Sequence, residues 1–317
     1  MPANLPPEYF EAEKRFKEAS APADRIAALE DLIATVPKHK GTDKLRADLR
    51  RRLSRLRDEA SKRKKSGKGA LYSVQREGAS QAALVGFANS GKSSLLAVLT
   101  NARPVVADYP MTTVVPFPGM MPFEDIQFQL VDLPPIGNES TDGWVSGILR
   151  VADILLIVID LTEDPEAQAE LLLEQLSAWN IPVGSMERAK KAVMAANKLD
   201  LAGEAGLGLL RQRYGEVLPV VGVSASLKQG LEELREAVFR ISGVIRVYTK
   251  QPGKEPDLGT PFTLPLGSTV LDLSSVIHKD FTANLKYACI WGSGKFPGQR
   301  VPKDHVLQDR DVVELHI

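Results

Sequence analysis

A short apolar strand, Ala82 to Val85, runs straight into Gly86-Phe87-Ala88-Asn89-Ser90-Gly91-Lys92-Ser93, and a helical segment follows from near Lys92. This is the full GxxxxGKS pattern in the strand–loop–helix context it requires, and few folds can hold it. Glycine lets the loop wrap a phosphate, and successive backbone N–H groups then point inward at the anion. Lys92 is placed to bridge β- and γ-phosphate oxygens, and the Ser93 hydroxyl to ligate Mg²⁺. Gly86, Asn89, Ser90, Gly91, Lys92, Ser93 and Ser94 form the candidate phosphate-binding set.

Beyond the loop, further strands are expected at Ile126 to Val131, Ile154 to Ile159, Ala192 to Ala196 and Val217 to Val223, with helices at Glu166 to Ala178 and Leu231 to Phe239. Strands alternating with helices predict an α/β fold with a mostly parallel sheet covered on both faces. Ligands of such sheets sit beyond the C-terminal strand ends, and the polar residues there fit a nucleotide. Asp132 closes the second strand and is the candidate carboxylate holding Mg²⁺ through a water. Asn197-Lys198-Leu199-Asp200 follows the fourth. Asp200 can accept from the N1 hydrogen and the 2-amino group of guanine, whereas adenine would leave it unpaired. Asn197 can tie its loop back to the phosphate loop, and the Lys198 stem can cover the base plane. Ser224-Ala225 is the candidate backbone contact to guanine O6. Between Lys92 and Asp132 lies Asp108-Tyr109-Pro110-Met111-Thr112-Thr113, where a threonine can reach Mg²⁺ only when a γ-phosphate is present. Thr113 is the first candidate and Thr112 the alternate.

The flanks differ in character. Residues 8 to about 34 read as one or two helices interrupted at Pro22, and a second helical run from about Thr42 to Lys65 places Leu45, Leu49, Leu53 and Leu56 on one face. Residues 44–68 hold twelve Lys or Arg against three acids, a local charge of +9, although the whole chain balances 40 of each sign. Such a helical hairpin suits a phosphate backbone, and equally a solvated helix face. The tail after Gly243 is a compact mixed module of 74 residues, with strands expected at Val244 to Tyr248, Phe262 to Leu264, Tyr287 to Trp291 and Val312 to His316 and a helix at Val270 to His278. It has no catalytic cluster and reads as a binding module. Cys289 is the single cysteine, so no internal disulfide is possible. His39, His278, His305 and His316 lack metal-site spacing, and Trp144, Trp179 and Trp291 read as packing residues. No apolar run reaches membrane-spanning length, and the acidic, proline-rich start is unlike a signal peptide. A cytoplasmic location without membrane association is the expectation.

These residues together resemble the Obg/DRG branch of translation-factor-class GTPases, specifically the developmentally regulated GTP-binding protein family. The likeness is carried by Ala83 to Phe87, Asn89 to Leu95, Ala107 to Thr113 and Asn197 to Asp200. In the tail it is carried by Ile245 to Lys250, Pro261, Ile277 to Lys279, Lys286 to Ala288, Lys303 to His305 and Leu307 to Val312. The resemblance implies a basic helical hairpin over 1–77, a P-loop G domain over 78–243 and a TGS domain of β-grasp fold over 244–317. It implies Mg²⁺ and phosphate ligands at Lys92, Ser93, Thr113 and Asp132, base recognition at Asn197, Lys198 and Asp200, and a ribosome, RNA or translation-factor partner. Asn89 stands where potassium-stimulated relatives place a cation-coordinating asparagine, so Lys92, Thr113 and Asn89 are the expected catalytic residues, with K⁺ as a second cofactor. Ile136 is apolar where other GTPases carry a glutamine.

Two departures stand out. The 64 residues between Asp132 and Asn197 leave no room for the small domain that eukaryotic and archaeal members insert there. Pro135 replaces the glycine whose N–H meets the γ-phosphate, and proline has no N–H. Gly137, two residues on, is the candidate substitute. The expected activity is slow GTP hydrolysis in a molecular switch; the rivals are a guanine-nucleotide-binding scaffold with little hydrolysis, and an ATPase, against which Asp200 argues.

Overall fold

The computed structural model describes residues 11, 12, 14–16, 22–36, 49, 51–53, 72, 74–100, 115–137, 139–184, 189–278, 282 and 284–316. The chain divides into two compact units, Met1–Ser73 and Val74–Ile317. In the first, residues 11, 12 and 14–16 are helical and α1 spans Pro22–Thr35. Pro22 opens α1, where its missing N–H would have had no helical acceptor. Leu29 and Leu32 fall on one face of α1 and are buried with Val36, just past its end, and with Ala12, Phe16 and Leu49. Of the +9 run, only Leu49 and Arg51 to Leu53 lie among the described residues, and all of these are helical.

The second unit contains two sheets. Its larger sheet has the order β2-β3-β1-β4-β5-β6, where β1 is Gln81–Val85, β2 Phe117–Phe123, β3 Ile126–Asp132, β4 Ile154–Asp160, β5 Lys191–Asn197 and β6 Val220–Gly222. All pairings are parallel except β2 on β3. The helices between these strands are α2 (Lys92–Leu99), α3 (Glu139–Val151), α4 (Pro165–Ala178), α5 (Leu199–Ala202) and α6 (Glu204–Tyr214), and α7 (Leu231–Ser242) follows β6. Alternate strand residues face opposite layers. Ala83 and Val85 pack with Val145 and Leu149 of α3, Leu172 of α4 and Leu207 of α6. Ala82 and Leu84 pack with Leu95 and Leu99 of α2 and Leu234 and Val238 of α7. Burial on both faces explains why β1 and β4 are continuously apolar. The described elements between Asp132 and Asn197 are α3, β4, α4 and β5, with no inserted domain among them.

The smaller sheet has the order β10-β9-β11-β7-β8, with β7 at Val244–Thr249, β8 Asp257–Pro265, β9 Tyr287–Trp291, β10 Gln299–Val301 and β11 Asp311–His316. One face is covered by α8, Val270–Ile277, whose start is fixed by reciprocal hydrogen bonds between Thr269 and Asp272. Val270 and Leu273 of that helix join Ile245, Val247, Ala288, Ile290 and Val313 in a separate core.

Two expected strands need correction. β6 is confined to Val220–Gly222, because only these residues pair with Met194–Ala196 of β5. β8 starts at Asp257 and not at Phe262, since its pairing with β7 reaches Thr249 through an irregularity. β2, α3, α5, α6 and β10 have no counterpart among the expected elements.

Candidate nucleotide site

Parallel pairing brings the polar strand ends side by side. Leu84 of β1 is in register with Asp132 of β3, and Asp160 of β4 with Asn197 of β5. The loop from Gly86 to Gly91 begins at the C-terminal end of β1 and closes against this row. A Cβ at Gly86 would stand 2.5 Å from the Val158 carbonyl oxygen, and one at Gly91 2.2 Å from Asn197 Nδ2. Gly91 also has φ +88°, which glycine alone adopts freely. Both glycines are required by close approach.

Lys92 is buried, and its Nζ donates to the carbonyls of Gly86 at 3.0 Å and Phe87 at 2.7 Å. Burial pulls its pKa down to about 8, partly opposed by the Asp132 carboxylate. Phosphate oxygens arriving at this ammonium restore full protonation. Near pH 8, where a phosphate is already fully ionised, GDP binding is therefore expected to take up protons at Lys92. Calorimetry in buffers of different ionisation enthalpy reads the sign of this exchange, and zero uptake would contradict a depressed Lys92.

Ser93 Oγ donates to Asp132 Oδ2 at 2.5 Å. Among the described residues no group of three or more His, Cys, Asp or Glu could hold a metal. Two hard oxygen donors next to a phosphate loop fit Mg²⁺, which takes its remaining ligands from water and phosphate; they do not fit a self-sufficient protein cage. Thr112 and Thr113 lie outside the described residues. Pro135 is half-buried, and the next amide, Ile136 N–H, donates to the Gly86 carbonyl at 3.3 Å. The Ile136 side chain is buried in the core, so it cannot stand in for a water-positioning glutamine. Gly137 is exposed at φ +95°. Asn89, at the exposed tip of the phosphate loop, has φ +61°.

Asn197 is the tie between loops. It is 2% exposed, its Nδ2 donates to the Ser90 carbonyl at 2.9 Å, and its Oδ1 accepts from Ala225 N at 3.2 Å. The Ala225 amide thus has an internal acceptor and reaches a guanine carbonyl only by sharing. Ser224 is fully buried; its backbone N–H and carbonyl pair with Gln229, and its Oγ accepts from Leu227 N at 3.0 Å, so it shapes the loop from within. Ser90 likewise is buried and donates its hydroxyl to the Phe87 carbonyl at 3.1 Å. Ser94 is half-buried in α2. Lys198 has φ +65° ahead of α5, and Asp200 in that short helix is exposed.

The sequence reading missed Asp160. Its Oδ2 is bonded by Lys198 Nζ, and its Oδ1 accepts from Thr162 N at 2.9 Å and Thr162 Oγ1 at 2.6 Å. Burial opposes its ionisation, but the hydrogen bonds from Lys198 and Thr162 outweigh that and hold the carboxyl below its ordinary range. An aspartate closing a fully apolar strand beside the Asn197 strand was the available signal.

The fold and the converging loops define a P-loop GTP-binding protein with a second, smaller domain after it. Residues 81–198 match the family described as 50S ribosome-binding GTPase, and residues 245–317 match the TGS domain. An uncharacterized GTP-binding protein of Methanocaldococcus jannaschii is 30% identical over 361 aligned positions, covering 93% of this chain and 92% of the relative. Developmentally-regulated GTP-binding protein 1 of Xenopus laevis is 28% identical, covering 92% and 98%. A GTP-binding protein structure from Pyrococcus horikoshii superposes with a TM-score of 0.54 at 18% identity, over 74% of this chain and 99% of that one, which supports the fold alone. The chain belongs to the developmentally regulated GTP-binding protein family. The alignment with the archaeal relative is longer than this chain's 317 residues, in keeping with the missing insertion. No helix among the described residues is long and apolar enough to cross a membrane.

Proposed function

We propose that this protein is a slow, Mg²⁺-dependent, potassium-stimulated GTPase that works as a switch for a ribosome-linked partner. The observation that carries this reading is the cross-tying of three loops by buried Asn197, which makes phosphate binding and base binding one structural event. Bound Mg²⁺ would polarise the γ-phosphoryl group and neutralise charge on the β- and γ-oxygens. Ser93 and Asp132 are the residues to hold it, and Lys92 adds a buried positive charge beside the same oxygens. Asp200 selects guanine, and Lys198, held by Asp160, lies along the base. No side chain is assigned as general base, since phosphoryl transfer depends chiefly on positioning and charge stabilisation. Thr113 and backbone amides after Asp132 align the attacking water, and Asn89 is the proposed contact for K⁺. Slow turnover is expected because Pro135 removes one γ-phosphate donor and the Ile136 amide is engaged by Gly86.

Removing the Ser93 hydroxyl tests this assignment. Ser93→Ala is expected to slow GTP hydrolysis by about a hundredfold, the loss of ~2.7 kcal/mol of transition-state stabilisation, and to shift the Mg²⁺ titration midpoint upward. An unmoved midpoint would remove Ser93 from the metal site.

Two observations support a ribosomal or RNA partner: the +9 segment at residues 44–68 and the family description matched by the G domain. The reading places the protein in the cytoplasm and assigns the basic hairpin to 1–77, the G domain to 78–243 and the TGS domain to 244–317. A scaffold that holds GTP without cleaving it is the second reading, and Pro135 is the feature that favours it.

A further inference from the structure

Of the two faces of the smaller sheet, α8 covers one. Ala288 and Ile290 of β9, Val301 of β10 and Val313 of β11 point into the core beneath that helix. The alternate residues of the same strands therefore point to the opposite face. On that face β7 is already engaged, because Arg246 and the Tyr248 hydroxyl donate to Glu124 and Asp125 in the β2–β3 turn.

Strands β9, β10 and β11 carry flat rings and cations there instead. The rings of Tyr287 and His316 stack with centres 4.5 Å apart and planes 12° from parallel. Arg300 Cζ lies 3.6 Å from the centre of the same tyrosine ring. Since β9 runs between β10 and β11, the order across the sheet is Arg300, Tyr287, His316. Lys250, just past β7, holds its Nζ 4.2 Å from the ring centre of Trp291. A cation over a ring keeps its charge while its orientation is fixed, so these groups are set in place before any ligand arrives.

The charge on this face is unevenly matched. Glu314 is its acid on β9 to β11; it is buried, and Lys250 Nζ at 3.3 Å and His316 Nε2 at 2.8 Å share its carboxylate. Arg300 is exposed on the edge strand β10, and no carboxylate among the described residues forms an ion pair with it. A surface for a second apolar core would not need such cations, and one for duplex phosphates would not need the rings. Rings and an unneutralised guanidinium side by side match a single strand, whose unstacked bases offer π-faces and whose phosphates are anionic.

We propose that the sheet face of the TGS domain built on Tyr287, Trp291, Arg300 and His316 binds single-stranded RNA, with bases stacked against these groups and phosphates met by Arg300 and Lys250. This rests on the RNA-partner reading above and gives that partner a contact separate from the basic segment at 44–68.

The test titrates the full chain into a labelled single-stranded RNA of about ten nucleotides, and into the same sequence as a duplex. The variants are Arg300→Gln, Tyr287→Leu, Trp291→Phe and a triple change of Lys62, Lys64 and Lys65 to Gln. Urea unfolding and GDP affinity, both expected to match wild type, verify that each fold persists. Arg300→Gln and Tyr287→Leu are expected to weaken single-strand binding about fivefold or more, and Arg300→Gln to reduce the salt slope by roughly 0.7. RNA should quench tryptophan fluorescence in wild type, and Trp291→Phe should abolish the quench. Single-strand affinity unchanged in the folded Arg300 and Tyr287 variants but lost in the lysine triple would overturn the inference and leave the RNA-partner reading intact. A preference for the duplex would overturn it too. A wild-type chain that binds neither RNA would sink both, and turn the face over to a protein partner.

Discussion

Replacing Asp200 by asparagine lowers affinity for GTP and GDP by a hundred- to a thousandfold and turns the site towards xanthine nucleotides. The Asp200 carboxylate is exposed on the four-residue helix α5, immediately after Lys198 in its left-handed conformation. As an acceptor-only group it matches the two donors on the guanine edge, and each charge-assisted hydrogen bond is worth roughly 1.5–3 kcal/mol. Asparagine keeps one acceptor and adds a donor, which faces the guanine amino group wrongly but suits a carbonyl at the same ring position. Losing about 3–4 kcal/mol gives the stated range. Competition binding with GDP, XDP and ADP reads the outcome. A variant that still prefers GDP over XDP would show that base selection lies elsewhere.

A single methyl group at Gly91 has a comparable effect through geometry alone. The added Cβ would lie 2.2 Å from Asn197 Nδ2, at a backbone φ of +88°. Left-handed backbone costs an L-residue about 1–2 kcal/mol. Displacing Asn197 from Ser90 and Ala225 strands buried polar groups, at roughly 1–3 kcal/mol more. Gly91→Ala is expected to weaken nucleotide binding at least about a hundredfold and to lower the stability of the nucleotide-free protein by about 2–5 kcal/mol. Gly208→Ala is the control. Its Cβ would meet nothing within 4 Å on helix α6, and alanine there stabilises by up to about 1 kcal/mol. Equal behaviour of the two variants in urea unfolding and nucleotide titration would contradict the tie between the loops.

Legibility followed physical cause. The strands flanking the phosphate loop could be read because burial on both faces forces them to be apolar: β4, from Ile154, is buried throughout. β2 was hidden, since Phe117–Phe123 contains two prolines and a glycine. Those residues are tolerated because β2 lies at the sheet edge and pairs on one side only. Helices α3 and α6 each carry two glycines, which blur the helical pattern. Phosphate-loop chemistry is local in sequence and was visible there. The partners of its residues are not local: Lys198 meets Asp160 across 38 residues, and Arg246 meets Glu124 across 122. Only the register of neighbouring strands and the docking of one domain on another create such pairs. The occupied amides of Ala225 and Ile136 belong to the same kind, because their acceptors come from other loops.

The account stands or falls on whether bound GTP is cleaved. Single-turnover phosphate release should be measured with protein in excess over GTP, at saturating Mg²⁺, in KCl and in NaCl. The account predicts conversion of all bound GTP to GDP, faster in KCl because of the Asn89 contact, and retained despite Pro135. Tightly bound GTP that stays intact in both salts would contradict it and establish the protein as a guanine-nucleotide-binding scaffold.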